Sequence, residues 1–457
     1  MIFSEDTIAA IATPFGQGAI SVLRLSGPQA AEIFARCWRG AALKPRRAVL
    51  GRLAKPLPEK TAENTPGSPV EIIDEGLAIF FPGPASYTGE DVIEFSGHGG
   101  VLVTQRVLEA LLEAGARPAD PGEFTQHAFL NGKLDLTQAE AVMDVISAQT
   151  DLALKAAREQ LAGRLGEKLR GLREDVLGLL AHVEAYIDFP DEDIDPDTGA
   201  ALLARIDAAR DSVDRLLATA DQGRVLREGV RTAIAGAPNV GKSSLLNRLL
   251  GFDRAIVSDI AGTTRDTLEE VINLRGLPLR LIDTAGLRES DDVLEKAGIE
   301  RSRAALAQAD LILEVADGSQ PRTFFQPVEN APKPRLLILN KADLPEDPSW
   351  DGAEAVRISC ASGAGLDALA DAIEALLKGG ALAWNADLVA INARHQACLK
   401  HARTALEAAR QLLAAAQPPE LVAEELRAAM HAIGDVMGHA DAEELLGVIF
   451  GRFCIGK

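Results

Sequence analysis

Residues 236–244, Gly236-Ala237-Pro238-Asn239-Val240-Gly241-Lys242-Ser243-Ser244, combine two glycines, a lysine and a hydroxyl in the spacing GxxxxGKS. Glycines at these positions let the backbone curl until its N–H groups converge on a phosphate. Lys242 adds a point charge for the β- and γ-phosphates, and the Ser243 hydroxyl suits Mg²⁺. The chemistry is phosphate binding, and it requires a strand before the loop and a helix after it. Arg231-Thr232-Ala233-Ile234-Ala235 reads as the strand, and a helix is expected to open near Lys242.

Four further motifs follow in order. Gly262-Thr263-Thr264-Arg265-Asp266 contains Thr264, a switch threonine placed to complete a magnesium shell. Leu281-Ile282-Asp283-Thr284-Ala285-Gly286 is a strand ending in DxxG: Asp283 can hold Mg²⁺ through water, and the Gly286 N–H can sense a γ-phosphate. Leu336-Leu337-Ile338-Leu339 leads into Asn340-Lys341-Ala342-Asp343, an NKxD in which Asp343 can accept both N1–H and the N2 amino group of guanine. Ile358-Ser359-Cys360-Ala361 stands where a backbone N–H can read guanine O6. The NKxD alone is weak evidence, but all five motifs in order on this alternating pattern specify a GTP-hydrolysing P-loop domain. The nucleotide contacts are accordingly expected at Asn239 to Ser244, at Ser258, Asp259, Ile260, Ala261, Gly262, Thr263 and Thr264, at Asp283 to Gly286, at Asn340, Lys341 and Asp343, and at Ser359, Cys360 and Ala361. One position departs from the Ras-like pattern. A glutamine directly after DxxG orients the attacking water there, whereas Leu287 can neither donate nor accept a hydrogen bond.

The chain that must position these groups has 457 residues, room for about three domains. A net charge of −20 argues against non-specific wrapping of nucleic acid over the whole surface, though a local basic patch is compatible with it. The opening Met1-Ile2-Phe3-Ser4-Glu5-Asp6 has carboxylates where a secretory signal has cations, and no apolar run is long enough to span a bilayer. A cytoplasmic protein without a membrane segment is expected. Cys37, Cys360, Cys398 and Cys454 form no CxxC pair, so neither a disulfide framework nor a zinc knuckle is readable, and the histidines, which lack metal-ligand spacing, read as ordinary structural residues.

Residues 1–130 alternate β-like runs such as Ala19–Leu25 and Gly76–Phe81 with turns, and Val101 to Ala114 has helical periodicity stopped by Gly115. Residues 55–70 read as an exposed loop. In 131–228 the buried stripe of a long helix is predicted at Leu165, Leu169, Leu172, Val176, Leu179 and Val183. The acidic, proline-punctuated run Asp188 to Pro196 predicts a turn before a helix over roughly 200–220. Strand, glycine loop and helix alternate over 229–379, and helices return in 380–457, with Leu399, Leu406, Leu412 and Leu413 on one stripe and Leu421, Leu426 and Met430 on another. The expected fold is multidomain: an N-terminal α+β domain, a helical bundle split in sequence, and a Ras-like α/β P-loop domain inserted between its parts.

Beyond the nucleotide motifs, Phe81-Pro82-Gly83-Pro84, Thr88-Gly89-Glu90-Asp91, Gly97-His98-Gly99-Gly100, Pro121-Gly122-Glu123-Phe124, Leu134-Asp135-Leu136-Thr137-Gln138-Ala139-Glu140 and Phe453-Cys454-Ile455-Gly456-Lys457 span the chain. Together with Asn239, the Gly262 to Asp266 run and Asp283 to Glu289, they resemble the MnmE (TrmE) family of tRNA-modification GTPases. The resemblance implies an N-terminal tetrahydrofolate-binding-like domain that forms a homodimer. It further implies a partner, MnmG (GidA), which carries FAD and joins in a heterotetramer or larger complex, and tRNA as the substrate. The product would carry an aminomethyl or carboxymethylaminomethyl group at C5 of the wobble uridine, with 5-formyltetrahydrofolate or a related folate as one-carbon donor. Matched position by position, Arg24, Glu94, Lys133 and Lys457 fall on the folate site. Asn239, Ser258, Ile260 and Thr263 fall on a potassium site, and Ser243 and Thr264 on the Mg²⁺ ligands. Glu295 matches the glutamate that orients the hydrolytic water, which answers the problem posed by Leu287, and Cys454 becomes a catalytic candidate. On its residue type alone Cys454 would be a small buried hydrophobe.

Two other classes compete with this reading. A ribosome-assembly or RNA-chaperone GTPase would have no use for the folate-like domain or for Cys454. A folate-dependent methyltransferase with an appended GTPase would need an acid-base set within residues 1–130, and none is evident.

Overall fold

The computed structural model describes residues 6–56, 71–188, 199–251, 253–254, 270–282, 306–322, 333–379, 389–438 and 443–457. The chain divides into two compact units, residues 1–143 with 437–457, and residues 144–436. The expected loop beyond residue 56 and the acidic turn after Asp188 fall outside the described residues.

The first unit is built on strands β1 (Ile8–Ile11), β2 (Ile20–Ser26), β3 (Trp38–Gly40), β4 (Val49–Ala54), β5 (Ile72–Phe81), β6 (Val92–His98) and β7 (Arg117–Pro118) in the spatial order β3-β4-β5-β6-β2-β1-β7. Only the β1–β7 pair is parallel. Side chains alternate across a strand, so Leu23 and Leu25 of β2 and Ile93 and Phe95 of β6 share one face. That face packs on Ile33 and Phe34 of α1 (Ala30–Cys37) and on Val107 and Leu111 of α2 (Val101–Glu113). The opposite face carries Arg24 directly across from Glu94. Helix α2 ends as expected, with Gly115 at φ +116°. Helices α3 (Glu123–Leu130) and α4 (Leu136–Ser147) follow, and the C-terminal helix Glu443–Phe450 returns to this unit, where Phe450 and Phe453 are buried with Leu136 and Ala139.

In the second unit, α5 (Asp151–Leu161), α6 (Arg164–Asp188), α7 (Gly199–Leu217) and α8 (Ala220–Glu228) precede an α/β domain, and two long helices follow it. All six positions of the predicted α6 stripe are buried. The α/β domain comprises β8 (Val230–Ala235), α9 (Lys242–Leu250), β9 (Asp253–Arg254), β10 (Glu270–Leu274), β11 (Leu277–Ile282), β12 (Leu311–Asp317), β13 (Arg335–Asn340), β14 (Val356–Arg357) and α10 (Leu366–Gly379). Its sheet order is β14-β13-β12-β8-β11-β10-β9, parallel from β14 to β11 and antiparallel beyond. Leu245, Leu246 and Leu249 of α9 and Leu369, Ala370 and Ile373 of α10 complete its core.

Helices α11 (Ala393–Ala414) and α12 (Pro419–Met437) complete the bundle. Asn392 caps α11 reciprocally with His395, so this histidine has the structural role expected of it. Ion pairs Arg410–Asp207 at 2.8 Å, Arg210–Glu407 at 2.7 Å and Arg403–Asp214 at 3.0 Å run in opposite chain directions, which makes α7 and α11 antiparallel neighbours. On α11, Leu399 and Leu406 are buried, whereas Leu412 and Leu413 are only half-buried. On α12 the expected stripe is misplaced at its start. Leu421 is 42% exposed, and Val422, Ala423, Leu426, Ala429 and Ile433 form the buried face. The helix begins at Pro419, which sets Leu421 on the solvent side of the first turn.

The inserted domain leaves and rejoins the bundle at one place. Beside its exit helix α8, Thr219 Oγ1 donates to the Val389 carbonyl at 2.9 Å, and Arg227 Nη2 donates to the Ile391 carbonyl at 2.5 Å.

Candidate nucleotide site

Parallel strands β11, β8, β12 and β13 end on the same side of the sheet, with Ile282 beside Ala233 and Asp317 beside Asn340. The carboxyl edge of such a sheet is where α/β domains bind ligands. The phosphate-binding motif lies there, between β8 and α9.

Two glycines leave the loop no alternative. A Cβ on Gly236 (φ +149°) would stand 2.1 Å from the Val315 carbonyl oxygen, and one on Gly241 (φ +98°) would stand 2.1 Å from Asn340 Nδ2. Asn239 is left-handed at φ +64°, a conformation that asparagine tolerates better than most residues. Helix α9 begins at Lys242 behind Gly241, with no side chain capping its first N–H groups. Lys242 Nζ lies in the loop, donating to the carbonyls of Gly236 at 3.0 Å and Ala237 at 2.8 Å. Burial pushes this ammonium below the ordinary lysine range. Ser243 and Ser244, on the first turn of α9, are exposed.

The guanine motif is joined to this loop. Asn340 is buried, donates from Nδ2 to the Val240 carbonyl at 2.9 Å, and accepts the Cys360 N–H on Oδ1 at 3.0 Å. Lys341 is left-handed at φ +66° and its Nζ pairs with Asp317 Oδ2 at 2.6 Å. Burial pushes the Asp317 carboxyl up, but the bonds from Lys341 and Ser319 outweigh it and hold the group below the usual aspartate range. Asp343 is exposed, and its Oδ1 accepts from the Ser359 hydroxyl. One carboxylate oxygen is thereby fixed while the group still faces solvent, the condition for presenting acceptors to a base edge. Burial raises the Cys360 thiol above its ordinary value, so this side chain is a packing group and its backbone is what the loop can use.

Ser258, Asp259, Ile260, Ala261, Gly262, Thr263, Thr264, Asp283, Thr284, Ala285, Gly286 and Glu295 lie outside the described residues. Asp283 immediately follows Ile282, the last residue of β11.

A second constellation occupies the first unit. Arg24 donates to Glu94 Oε1 from Nε at 3.0 Å and Nη2 at 2.8 Å, and from Nη1 to the Gly456 carbonyl at 3.4 Å. Its guanidinium also lies 5.5 Å from the Tyr87 ring and 5.6 Å from the Phe124 ring, within cation–π range. The terminal segment is anchored there by the Gly122 N–H, which donates to the Cys454 carbonyl at 3.4 Å, and by the burial of Phe453. Arg24, Glu94 and the terminal Gly456 are thus brought together. Lys133 bonds to the Pro84 carbonyl at 3.0 Å, and Lys457 is half-buried. Cys454 is exposed, contrary to the buried hydrophobe that its residue type suggests, because the flanking Phe453 takes the buried position instead.

The MnmE helical domain family matches residues 136–454, and the family described as the GTP-binding protein TrmE N-terminus matches residues 7–133. The chain is 54% identical to the tRNA modification GTPase MnmE of Akkermansia muciniphila over 99% of each chain. It is 47% identical to that of Chloroflexus aurantiacus, over 99% of this chain and all of that one. The chain belongs to the MnmE family of tRNA modification GTPases. Within this MnmE-family chain, motif reading missed Asp317, which holds Lys341, and Arg248, whose guanidinium reaches the Ser359–Ala361 loop. Both act through tertiary contacts, and neither sits in a recognisable spacing. No described helix is long and apolar enough to cross a membrane.

Proposed function

We propose that this chain hydrolyses GTP and uses the hydrolysis to drive modification of C5 of the wobble uridine in tRNA. The observation that carries the reading is the double engagement of Asn340, which joins the phosphate loop at Val240 to the base loop at Cys360 and so spaces one nucleotide's phosphate and base sites. Asp343 then supplies the choice of guanine.

Ser243 and Thr264 would hold Mg²⁺, and the neutral oxygens of Asn239, Ser258, Ile260 and Thr263 suit K⁺, a large, weakly hydrated ion. When bound, these cations neutralise charge on the β- and γ-phosphates, the task an arginine finger performs elsewhere. The left-handed Asn239 and the glycine cradle around it fit such an arrangement. Glu295 positions the hydrolytic water in place of the glutamine that Leu287 replaces.

In the first unit, Arg24, Glu94, Lys133 and Lys457 form the folate site. The combination of ionic groups with the Tyr87 and Phe124 rings suits a planar, carboxylate-bearing ligand such as 5-formyltetrahydrofolate. The chain acts as a homodimer with MnmG, which brings FAD, and Cys454 takes part in the chemistry on the base. The product carries an aminomethyl or carboxymethylaminomethyl group.

Mass spectrometry of tRNA nucleosides tests the assignment. Unmodified wobble uridine in cells lacking the gene, restored by this chain, supports it. Intact modification with defective ribosomal subunits would point instead to an assembly GTPase.

A further inference from the structure

Arg248 lies in the last turn of α9, the helix that begins at the phosphate loop. Its Nε donates to the Cys360 carbonyl at 2.7 Å and its Nη2 to the Ala361 carbonyl at 2.6 Å. Two bonds from one planar fork to consecutive carbonyls fix the orientation of the peptide planes between them, not only their position. Each peptide plane whose carbonyl faces Arg248 turns its N–H toward the opposite side of the loop. These are the N–H groups of Ala361 and Ser362, of which Ser362 donates to Ser359 Oγ at 3.1 Å, the same hydroxyl that is tied to Asp343.

We infer that Arg248 is a positioning residue for base recognition: it sets the tilt of the Cys360–Ala361 backbone and with it the strictness with which the loop reads the six-position of the purine. The inference rests on the GTP-binding reading. It assigns discrimination at position 6 to the pair of Arg248 and this loop, and discrimination at position 2 to Asp343. The two can therefore be separated with base analogues.

The Arg248 guanidinium is well suited to this task and a lysine is a partial substitute, because one ammonium cannot hold two consecutive carbonyls in a fixed plane. Among the described residues no other hydrogen bond reaches the Cys360 or Ala361 carbonyl. With Arg248 removed, the loop keeps its internal bonds, Ser359 N–H to the Ala364 carbonyl at 2.9 Å and Gly363 N–H to the Ser359 carbonyl at 2.8 Å. It should stay folded while its outward peptide planes loosen.

The test uses the full chain and equilibrium binding of GDP, 6-thio-GDP and IDP, which avoids any dependence on hydrolysis. The sulfur analogue alters only the six-position acceptor, and IDP lacks only the two-amino group. Wild-type protein should prefer GDP over both; no preference at all would overturn the GTP-binding reading itself, whatever Arg248 does. In Arg248→Ala the preference for GDP over 6-thio-GDP should fall by about 10-fold, the loss of roughly one well-placed hydrogen bond, while the preference over IDP stays within about twofold. Arg248→Lys, which keeps charge and bulk, should fall between the two and guards against misfolding of the alanine variant. An equal loss of affinity for all three nucleotides, or an unchanged 6-thio-GDP preference in both variants, would overturn the inference.

Discussion

The side-chain amide of Asn340 donates to the Val240 carbonyl at 2.9 Å, so the end of strand β13 is fastened to the loop that precedes α9. The same amide nitrogen lies 2.1 Å from where a Cβ on Gly241 would stand. Gly241→Ala must therefore push Asn340 aside and strain a φ of +98° as well. We expect both Gly241→Ala and Asn340→Ala to weaken GDP binding by about 10- to 100-fold, the effect of one or two buried hydrogen bonds. Titration calorimetry checks this, and near-normal affinity in either variant contradicts the coupling of the two loops.

Hydrolysis should depend on Glu295 and on potassium. Glu295→Ala should bind GTP nearly normally and turn it over about 10²-fold more slowly, or worse, as loss of a group used in the transition state does. Wild-type turnover should rise in potassium and not in sodium at equal ionic strength, and Asn239→Ala should flatten that difference. Equal rates in the two salts would remove the potassium site and leave the nucleotide site standing.

The terminal segment offers a separable prediction. Cys454 is exposed beside the Arg24 site, to which Gly456 is bonded, and its thiol is accessible as a nucleophile once deprotonated. Cys454→Ser should abolish wobble-uridine modification while sparing GTP hydrolysis. Modified nucleoside at wild-type level in cells carrying only the serine variant would remove Cys454 from the chemistry.

How much of this was legible beforehand follows from the range of the interactions. The phosphate and guanine motifs are local: each sits at a strand end whose apolar run is visible in the chain, so Gly236 to Ser244 and Asn340 to Asp343 follow the carboxyl ends of β8 and β13, with β12 between them. The α6 stripe was legible because a long helix averages out local exceptions. Leu421 was misread because the first turn of α12 could be phased only from its start at Pro419. Arg248 and Asp317 were invisible because their partners lie far away in sequence, and the terminal segment could be set beside Arg24 only through the family resemblance, which puts Lys457 at the same site.

A buried carboxylate sets one titration. Asp74 Oδ1 lies 2.6 Å from His98 Nδ1, and this bond with its charge raises the histidine above the ordinary imidazole range. Because the folded value is the higher one, any stability the pair contributes is complete below the ordinary histidine range and is lost as pH rises through the raised value. Asp74→Asn should return the His98 midpoint to the ordinary range, followed by the imidazole proton resonances. A midpoint that does not move means Asp74 is not its cause.

Guanine selectivity rests on Asp343, one of whose carboxylate oxygens is held by the Ser359 hydroxyl. The most direct measurement is hydrolysis of GTP and of xanthosine triphosphate by the wild type and by Asp343→Asn, whose amide can donate to the xanthine oxygen. Wild type should prefer GTP, and the variant should shift toward xanthosine triphosphate by about 100-fold or more, the scale set by unpaired buried polar groups in a specific site. A variant that keeps the wild-type preference for GTP would show that Asp343 does not read the base, and the central claim would fall.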